Sequence, residues 1–423
     1  MIVIAWAIGG WLVGLALLWL AVLTLSRAAE RHPPRSDRLP AERTTTAERA
    51  LLSAHHAAIV AVTAHMHCAV PCGVLLAALV ANLVWRAYRL SGHVSTVGTL
   101  LLVYLVYTLW SWLAAIARRA PLRPPGRPLS RLEAPGLWAE VDAVASRLGA
   151  RPVDAIYVSP WSEIGVVRGK SLRRALRGAE ERYLIIGLGA LRNLDVAELR
   201  PILAHELAHL LERDLVGGHL AWHLREQIQK GQDALRERGL AGSWHPAWVI
   251  LGQYEGLSRR LTLAVDRYRE VVADRYAALY GAERALAAIN KQVHNSAVHL
   301  ALAEAELTEA AMMGRPVRNL YRLPEPSAGA DPTFEQRYQA ALRASEPPAD
   351  AHPPLGERTA MLRRLANRQP SPPCEAPAWQ LFASPEALQL EMTQVAAATN
   401  AAQAAPRAAE PDGPRGLHGI RRG

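Results

Sequence analysis

Three long apolar runs, each free of Asp, Glu, Lys and Arg, stand in the first third of the chain: Ile2 to Leu25, Ala57 to Trp85, and Val97 to Ala117. No other feature of the sequence restricts its fold as much. A helix needs about 20 mainly apolar residues to cross the hydrocarbon core of a bilayer, and every run reaches that length. Three uncharged runs gathered in one block do not fit the buried helices of a soluble core. The expectation is a membrane domain over 1–120, with transmembrane helices at about 2–25, 57–85 and 97–117. The first run lacks a basic leader and a clear small-residue cleavage site, so it reads as an anchor rather than a cleaved signal.

Charge sets an expected direction. The chain of 423 residues carries a net +10, and the excess is arginine, since lysine occurs only at Lys170, Lys230 and Lys291. Arg27, Arg31, Arg35, Arg38, Arg43 and Arg49 follow the first run, only Arg86 and Arg89 follow the second, and Arg118, Arg119, Arg123, Arg127 and Arg131 follow the third. The positive-inside rule then puts the N-terminus outside and everything after Ala117 in the cytoplasm. No recognition-helix pattern, zinc-finger spacing or aromatic–basic interleaving accompanies the positive charge, so a nucleic-acid partner is not expected. Membrane topology accounts for the charge, and the lipid bilayer is the expected partner.

Cysteine is sparse. Cys68 and Cys72 lie inside the second run and Cys374 in a Pro-rich stretch, which is no disulfide framework. His65 and His67 beside Cys68 and Cys72 could be read as an intramembrane metal site. His and Cys are mild polar residues to bury, and Pro71 disturbs the local geometry, so helix packing is the better reading.

After a Pro- and Arg-rich linker from Pro121 to Pro128, a soluble domain is expected over 121–367. A helix is read near Leu137 to Leu148. Short apolar runs at Ala155 to Ser159, Ile164 to Val167 and Tyr183 to Gly187 read as strands of a small sheet. Gly187 and Gly189 are only a weak phosphate-loop signal, because no third glycine or P-loop lysine follows. From 368 to 423 the chain is Ala-, Pro- and Arg-rich and reads as a disordered tail, with a short helix possible at Glu386 to Ala398.

The most informative stretch is Asp195-Val-Ala-Glu-Leu-Arg-Pro-Ile-Leu-Ala-His205-Glu206-Leu-Ala-His209. Asp195 and Glu198 form a capping-box start. Val196, Leu199, Ile202 and Leu203 continue with helical spacing. His205 and His209 then lie one turn apart on one face, where two imidazoles can converge on one metal ion. Glu206 is angled aside, able to take a proton from a water attacking a peptide carbonyl. Sixty-one residues past His209 come Glu270 and Asp274, again four apart and sharing a face. One carboxylate can complete the metal site and the other can orient a ligand imidazole.

These residues carry a resemblance. His205 to Asp214, the Glu270–Asp274 pair, and His352-Pro353-Pro354-Leu355 with Arg358 occur in the order seen in HtpX-like and type I CAAX-prenyl-protease-like membrane metallopeptidases. The resemblance covers roughly Leu132 to Leu365. It implies an α+β, mostly helical zincin-like domain of the glutamate-zincin kind with a small sheet, preceded by transmembrane helices. It implies one Zn²⁺ per chain on His205, His209 and Glu270, Glu206 as general base, and a catalytic helper role for Asp274. It also implies that the His352–Arg358 segment packs near the cleft, and that Glu163 to Val167 is an edge strand pairing with extended substrate. The chain departs from HtpX-like proteins in having no span after the zinc helix. Leu215 to Leu224 is too short and polar, and Trp248 to Leu263 is interrupted by charge.

The expected function is that of a membrane-anchored zinc endopeptidase in a bacterial cell membrane, its catalytic domain cytoplasmic and its substrates membrane-associated proteins or peptides. Two alternatives stand beside it: a signalling metalloprotease of the β-lactam-sensor type, and a non-catalytic scaffold stapled by zinc.

Overall fold

The computed structural model describes residues 2–31, 46–93, 95–117, 126–168, 181–212, 218–242, 244–327, 331–345, 355–366 and 376–404. In chain order these form α1 (Ile2–Arg31), α2 (Thr46–Ser91), α3 (Thr96–Ala117), β1 (Arg127–Leu129), α4 (Pro135–Leu148), β2 (Ala155–Ser159), β3 (Ile164–Arg168), β4 (Arg182–Gly187), α5 (Val196–Glu212), α6 (Gly218–Glu237), α7 (Pro246–Ala278), α8 (Ala282–Met313), α9 (Pro332–Ser345), α10 (Leu355–Ala366) and α11 (Pro385–Ala404). The fold is mostly helical with one small mixed sheet, as the α+β reading expected.

The chain divides into two units. One unit takes residues 1–34, 43–121 and 213–268; the other takes 35–42, 122–212 and 269–423. Helix α6 and most of α7 pack with the apolar N-terminal helices. The reason is visible in α6 and α7. Leu224 and Ile228 of α6 and Leu251, Tyr254, Leu257 and Leu261 of α7 share one apolar core with Val22 of α1 and Ile59, Val62 and Met66 of α2.

Two helices in this unit are long and apolar enough to cross a membrane, over Trp6–Ala29 and Ser53–Ser91. The third expected span forms the helix Thr96–Ala117, whose apolar stretch is described over Thr96–Ser111. His65 belongs to the packing of this unit. Its Nε2 donates to the carbonyl of Trp11 at 2.9 Å, and its Nδ1 lies 2.8 Å from the hydroxyl of Tyr254. His67 Nδ1 donates to the carbonyl of Thr63 at 2.7 Å. Among the described residues no metal-holding group forms around these histidines and Cys68 and Cys72.

The second unit is built on a sheet of order β1-β2-β4-β3, in which β2 and β4 are parallel and the outer strands antiparallel to them. Ile156 and Val158 of β2 and Leu184 and Ile186 of β4 are buried against Leu137 and Val141 of α4, Leu199, Leu203 and Leu207 of α5, and Val298 of α8. The two glycines weighed as a phosphate loop have a packing reason instead. A Cβ at Gly187 would stand 2.6 Å from the backbone of Glu163, and one at Gly189 would collide with the ring of His299.

In the expected tail the short helix read at Glu386 to Ala398 forms within α11, and 376–384 is ordered ahead of it; residues 368–375 and 405–423 lie outside the described ones. Leu381, Phe382, Leu388, Met392 and Ala396 are buried in the core of the second unit. The backbone closes a short bridge there: Val196 N donates to Ala376 O and Ala378 N to Leu194 O, each at 2.9 Å. The C-terminal segment is thereby fastened to the first residues of α5. Its Ala/Pro-rich composition had concealed an apolar face at helical spacing.

Candidate metal centre

Helix α5 begins with a reciprocal cap. Glu198 N donates to Asp195 Oδ1 at 2.6 Å, and Asp195 N donates to Glu198 Oε2 at 3.0 Å, satisfying two amides that a helix start leaves open. The same Glu198 receives Lys291 Nζ of α8 at 2.7 Å. The helix is buried along Ile202, Leu203, Leu207 and Leu210, which fixes its rotation about its own axis. That rotation turns His205 and His209 toward the last turns of α7, where Glu270 and Asp274 lie. Both histidines and both carboxylates belong to the second unit.

The three expected ligands meet. His205 Nε2 and His209 Nε2 are 3.2 Å apart, Glu270 Oε2 is 3.4 Å from His205 Nε2, and Glu270 Oε1 is 3.5 Å from His209 Nε2. Among the described residues this is the group of His, Cys, Asp and Glu side chains that could hold a metal ion. The fit can be checked against coordination geometry. Ligand atoms about 2.0–2.2 Å from a tetrahedral ion stand about 3.3–3.6 Å from one another, so each imidazole nitrogen lies near ligand spacing from the other and from one oxygen of Glu270.

Asp274 is placed on the other side of the His205 ring, its Oδ1 3.0 Å from Nδ1. Its side chain is fully buried. Arg358 of α10 grips it with two parallel hydrogen bonds, Nε to Oδ2 at 2.9 Å and Nη2 to Oδ1 at 2.7 Å. The same Nη2 reaches to 4.0 Å from Glu270 Oε2. Of the expected His352–Arg358 segment, Arg358 thus sits at the site, while His352, Pro353 and Pro354 lie outside the described residues.

The electrostatics favour a divalent cation. Glu206, Glu270 and Asp274 bring three carboxylates to the site, and Arg358 feels all three. Burial opposes a proton on His205, yet the carboxylates of Asp274 and Glu270 overcome it and raise its pKa. Burial also opposes the charge on Arg358, and Asp274, Glu270 and Glu206 outweigh it. Asp274 is held below its ordinary range despite burial, by Arg358 and then His205. A field that draws a proton onto an enclosed imidazole draws a metal ion to its Nε2 as well.

Sequence reasoning left Arg358 without a role, because the arginine stands 84 residues from the aspartate it grips. The one signal was its place in the His352–Arg358 motif.

Two histidines one turn apart, a glutamate from a second helix and a carboxylate beside the first histidine define a metallopeptidase-type centre. Comparison with known proteins agrees. Residues 177–366 match the model of peptidase family M48. The chain is 28% identical to "Protease HtpX homolog" of Acidiphilium cryptum over 263 residues, covering 59% of this chain and 81% of that protein. It is 29% identical to "Protease HtpX homolog 1" of Streptomyces coelicolor over 208 residues, 46% of this chain and 64% of the relative. A "Protease HtpX homolog" of Pelotomaculum thermopropionicum is 34% identical over 95 residues, 22% of this chain and 31% of the relative. No solved structure gives a significant match.

Proposed function

We propose that this chain is a membrane-anchored zinc endopeptidase that cuts membrane-associated proteins or peptides on the cytoplasmic side. The observation that carries the reading is the convergence of His205, His209 and Glu270, whose ligand atoms approach one another pairwise at 3.2–3.5 Å. Zinc held there by these three residues would supply Lewis-acid polarisation of the scissile carbonyl and of the attacking water. Glu206 takes the proton from that water and passes it to the departing amine. Asp274 acts as a positioning residue rather than a proton donor, because Arg358 and His205 occupy both its oxygens away from solvent.

Substrate docks along β3. This strand pairs with β4 on one side, and among the described residues no strand pairs with its other edge. An extended peptide added there would run beside α5, which packs on β3. Anchoring at the bilayer gives the site a high local concentration of membrane-protein loops and tails, so their processing or quality control follows.

A structural zinc site closes with four protein ligands, mostly cysteine, whereas three non-cysteine ligands leave a position open. That observation favours catalysis over the zinc-stapled scaffold. The signalling-protease reading has no observation in its favour.

The test uses the full chain purified in detergent, with casein as substrate. Cleavage should appear in the wild type, disappear with a chelator, return with added Zn²⁺, and be absent from Glu206→Gln. A wild type that binds one equivalent of zinc and cuts nothing, including a peptide library, would leave only the scaffold.

A further inference from the structure

Between Arg238 and Glu255 lie sixteen residues with no Asp, Glu, Lys or Arg, in a chain where one residue in five is charged. They contain the turn joining α6 to α7, and neither arm of that hairpin qualifies as a membrane span. The hairpin is nonetheless laid along the apolar helices of its unit in register. Arg238 Nη1 lies 3.5 Å from the carbonyl of Ser111, and Tyr104 donates its hydroxyl to the carbonyl of Trp244 at 2.9 Å. Along α3 the Tyr104 contact falls about 12 Å from Thr96 and about 20 Å from Ala117, near the middle of the helix. The Ser111 contact falls about 9 Å from Ala117.

The returning arm keeps the same order along α1. Gly256 packs on Trp19, and Ser26 Oγ donates to Arg260 O at 3.4 Å. The charged residues of both arms therefore lie toward one end of α1 and α3, and the uncharged turn lies toward their middle. The inner side of the turn is buried: Leu240, Ala247 and Leu251 join the core with α1 and α2. Its outer side is apolar and uncovered, Trp244 being 60% and Val249 41% exposed. Leu100, Val103 and Val106 of α3 are likewise apolar and exposed. Arg236 lies over the ring of Trp248 at 5.1 Å, a cation–π contact.

We infer that the tip of the α6–α7 hairpin, around Trp244 and Val249, is seated among lipid acyl chains at the depth of the middle of α3, entering the bilayer without crossing it. The inference rests on the proposed membrane anchoring, through α3. Lipid is the occupant the neighbouring helix selects, since Trp244 is fastened to Tyr104 near the middle of α3, whose exposed residues Leu100, Val103 and Val106 are apolar.

The test is site-directed nitroxide labelling of the full chain in phosphatidylcholine–phosphatidylglycerol nanodiscs. Cys68, Cys72 and Cys374 are first replaced by serine. Single labels are placed at Trp244→Cys, Val249→Cys, Val103→Cys in α3 and Arg225→Cys in the charged part of α6. Collision with oxygen reports lipid, and collision with a water-soluble nickel chelate reports water. The labels at 244 and 249 should lose nickel accessibility to the level of 103, while 225 keeps it; either tip label suffices if the other variant fails to assemble. Nickel access at 244 and 249 equal to that at 225, with 103 still protected, overturns the inference alone. Nickel access at 103 as well overturns the membrane reading and the inference with it.

Discussion

Arg358 and Asp274 form a two-pronged ion pair with hydrogen bonds of 2.9 and 2.7 Å, and the same aspartate stands 3.0 Å from the Nδ1 of His205. A helix 84 residues further along the chain thus sets the angle of a ligand imidazole through one intermediate carboxylate.

Removing this arginine should therefore weaken metal binding without touching a ligand. Arg358→Ala leaves Asp274 buried and uncompensated, at a cost of about 3–5 kcal/mol in stability. Zinc affinity should fall about 10–100-fold, as for the loss of other groups that orient a ligand. Arg358→Lys restores the charge but not the fork, so it should recover only part of the loss. Competition with a chromophoric chelator measures both, and unchanged affinity in Arg358→Ala would remove the arginine from the account.

Glu206→Gln separates binding from chemistry. The variant should hold one zinc per chain with wild-type affinity while its turnover drops about 10²–10⁴-fold, the contribution typical of a positioned general base. Metal content by elemental analysis and cleavage rate on the same preparation check the pair of outcomes. Loss of metal together with activity would make Glu206 a ligand instead.

His299 should make the second unit acid-sensitive. It is buried, its Nε2 donates to Pro160 O at 2.9 Å, and its ring stacks on Tyr321 with centroids 5.2 Å apart. Burial pushes its pKa down to about 4, from 6.5 for a free imidazole. The unfolded chain thus takes up the proton first. Stability is complete above about pH 6.5 and is lost progressively as the pH falls toward 4, on the order of 2 kcal/mol by pH 5. Thermal unfolding of His299→Gln between pH 7 and pH 5 should show a smaller drop than the wild type.

The C-terminal segment should be indispensable to the fold of its unit. Phe382→Ala removes a buried ring and should cost about 3 kcal/mol. Truncation after Ala366 removes Leu381, Leu388 and Met392 as well and should yield an insoluble or unfolded second unit. A truncated chain with wild-type melting behaviour would contradict the packing described.

Much of the site was legible because its chemistry is written in short-range spacing. Asp195, Glu198, His205 and His209 occupy one helix, and the four-residue step from Glu270 to Asp274 puts both carboxylates on one face. The strands at Ala155–Ser159 and Arg182–Gly187 were legible as compact apolar runs. What escaped depends on distant contacts. Nothing local marks Arg358 as the partner of Asp274. The placement of residues 213–268 among the N-terminal helices depends on an amphipathic face that composition averages away. In 376–384, alanine and proline outweigh Leu381 and Phe382, although Phe382 is one of only two phenylalanines in the chain.

The backbone bridge between Leu194–Val196 and Ala376–Ala378 sets the order in which the enzyme comes into being. During synthesis His205 and His209 leave the ribosome well before Glu270, Glu270 before Arg358, and the strand that fastens the start of their helix after all of them. The start of the helix that carries both histidines therefore gains its backbone partners only once residues 376–378 have been made.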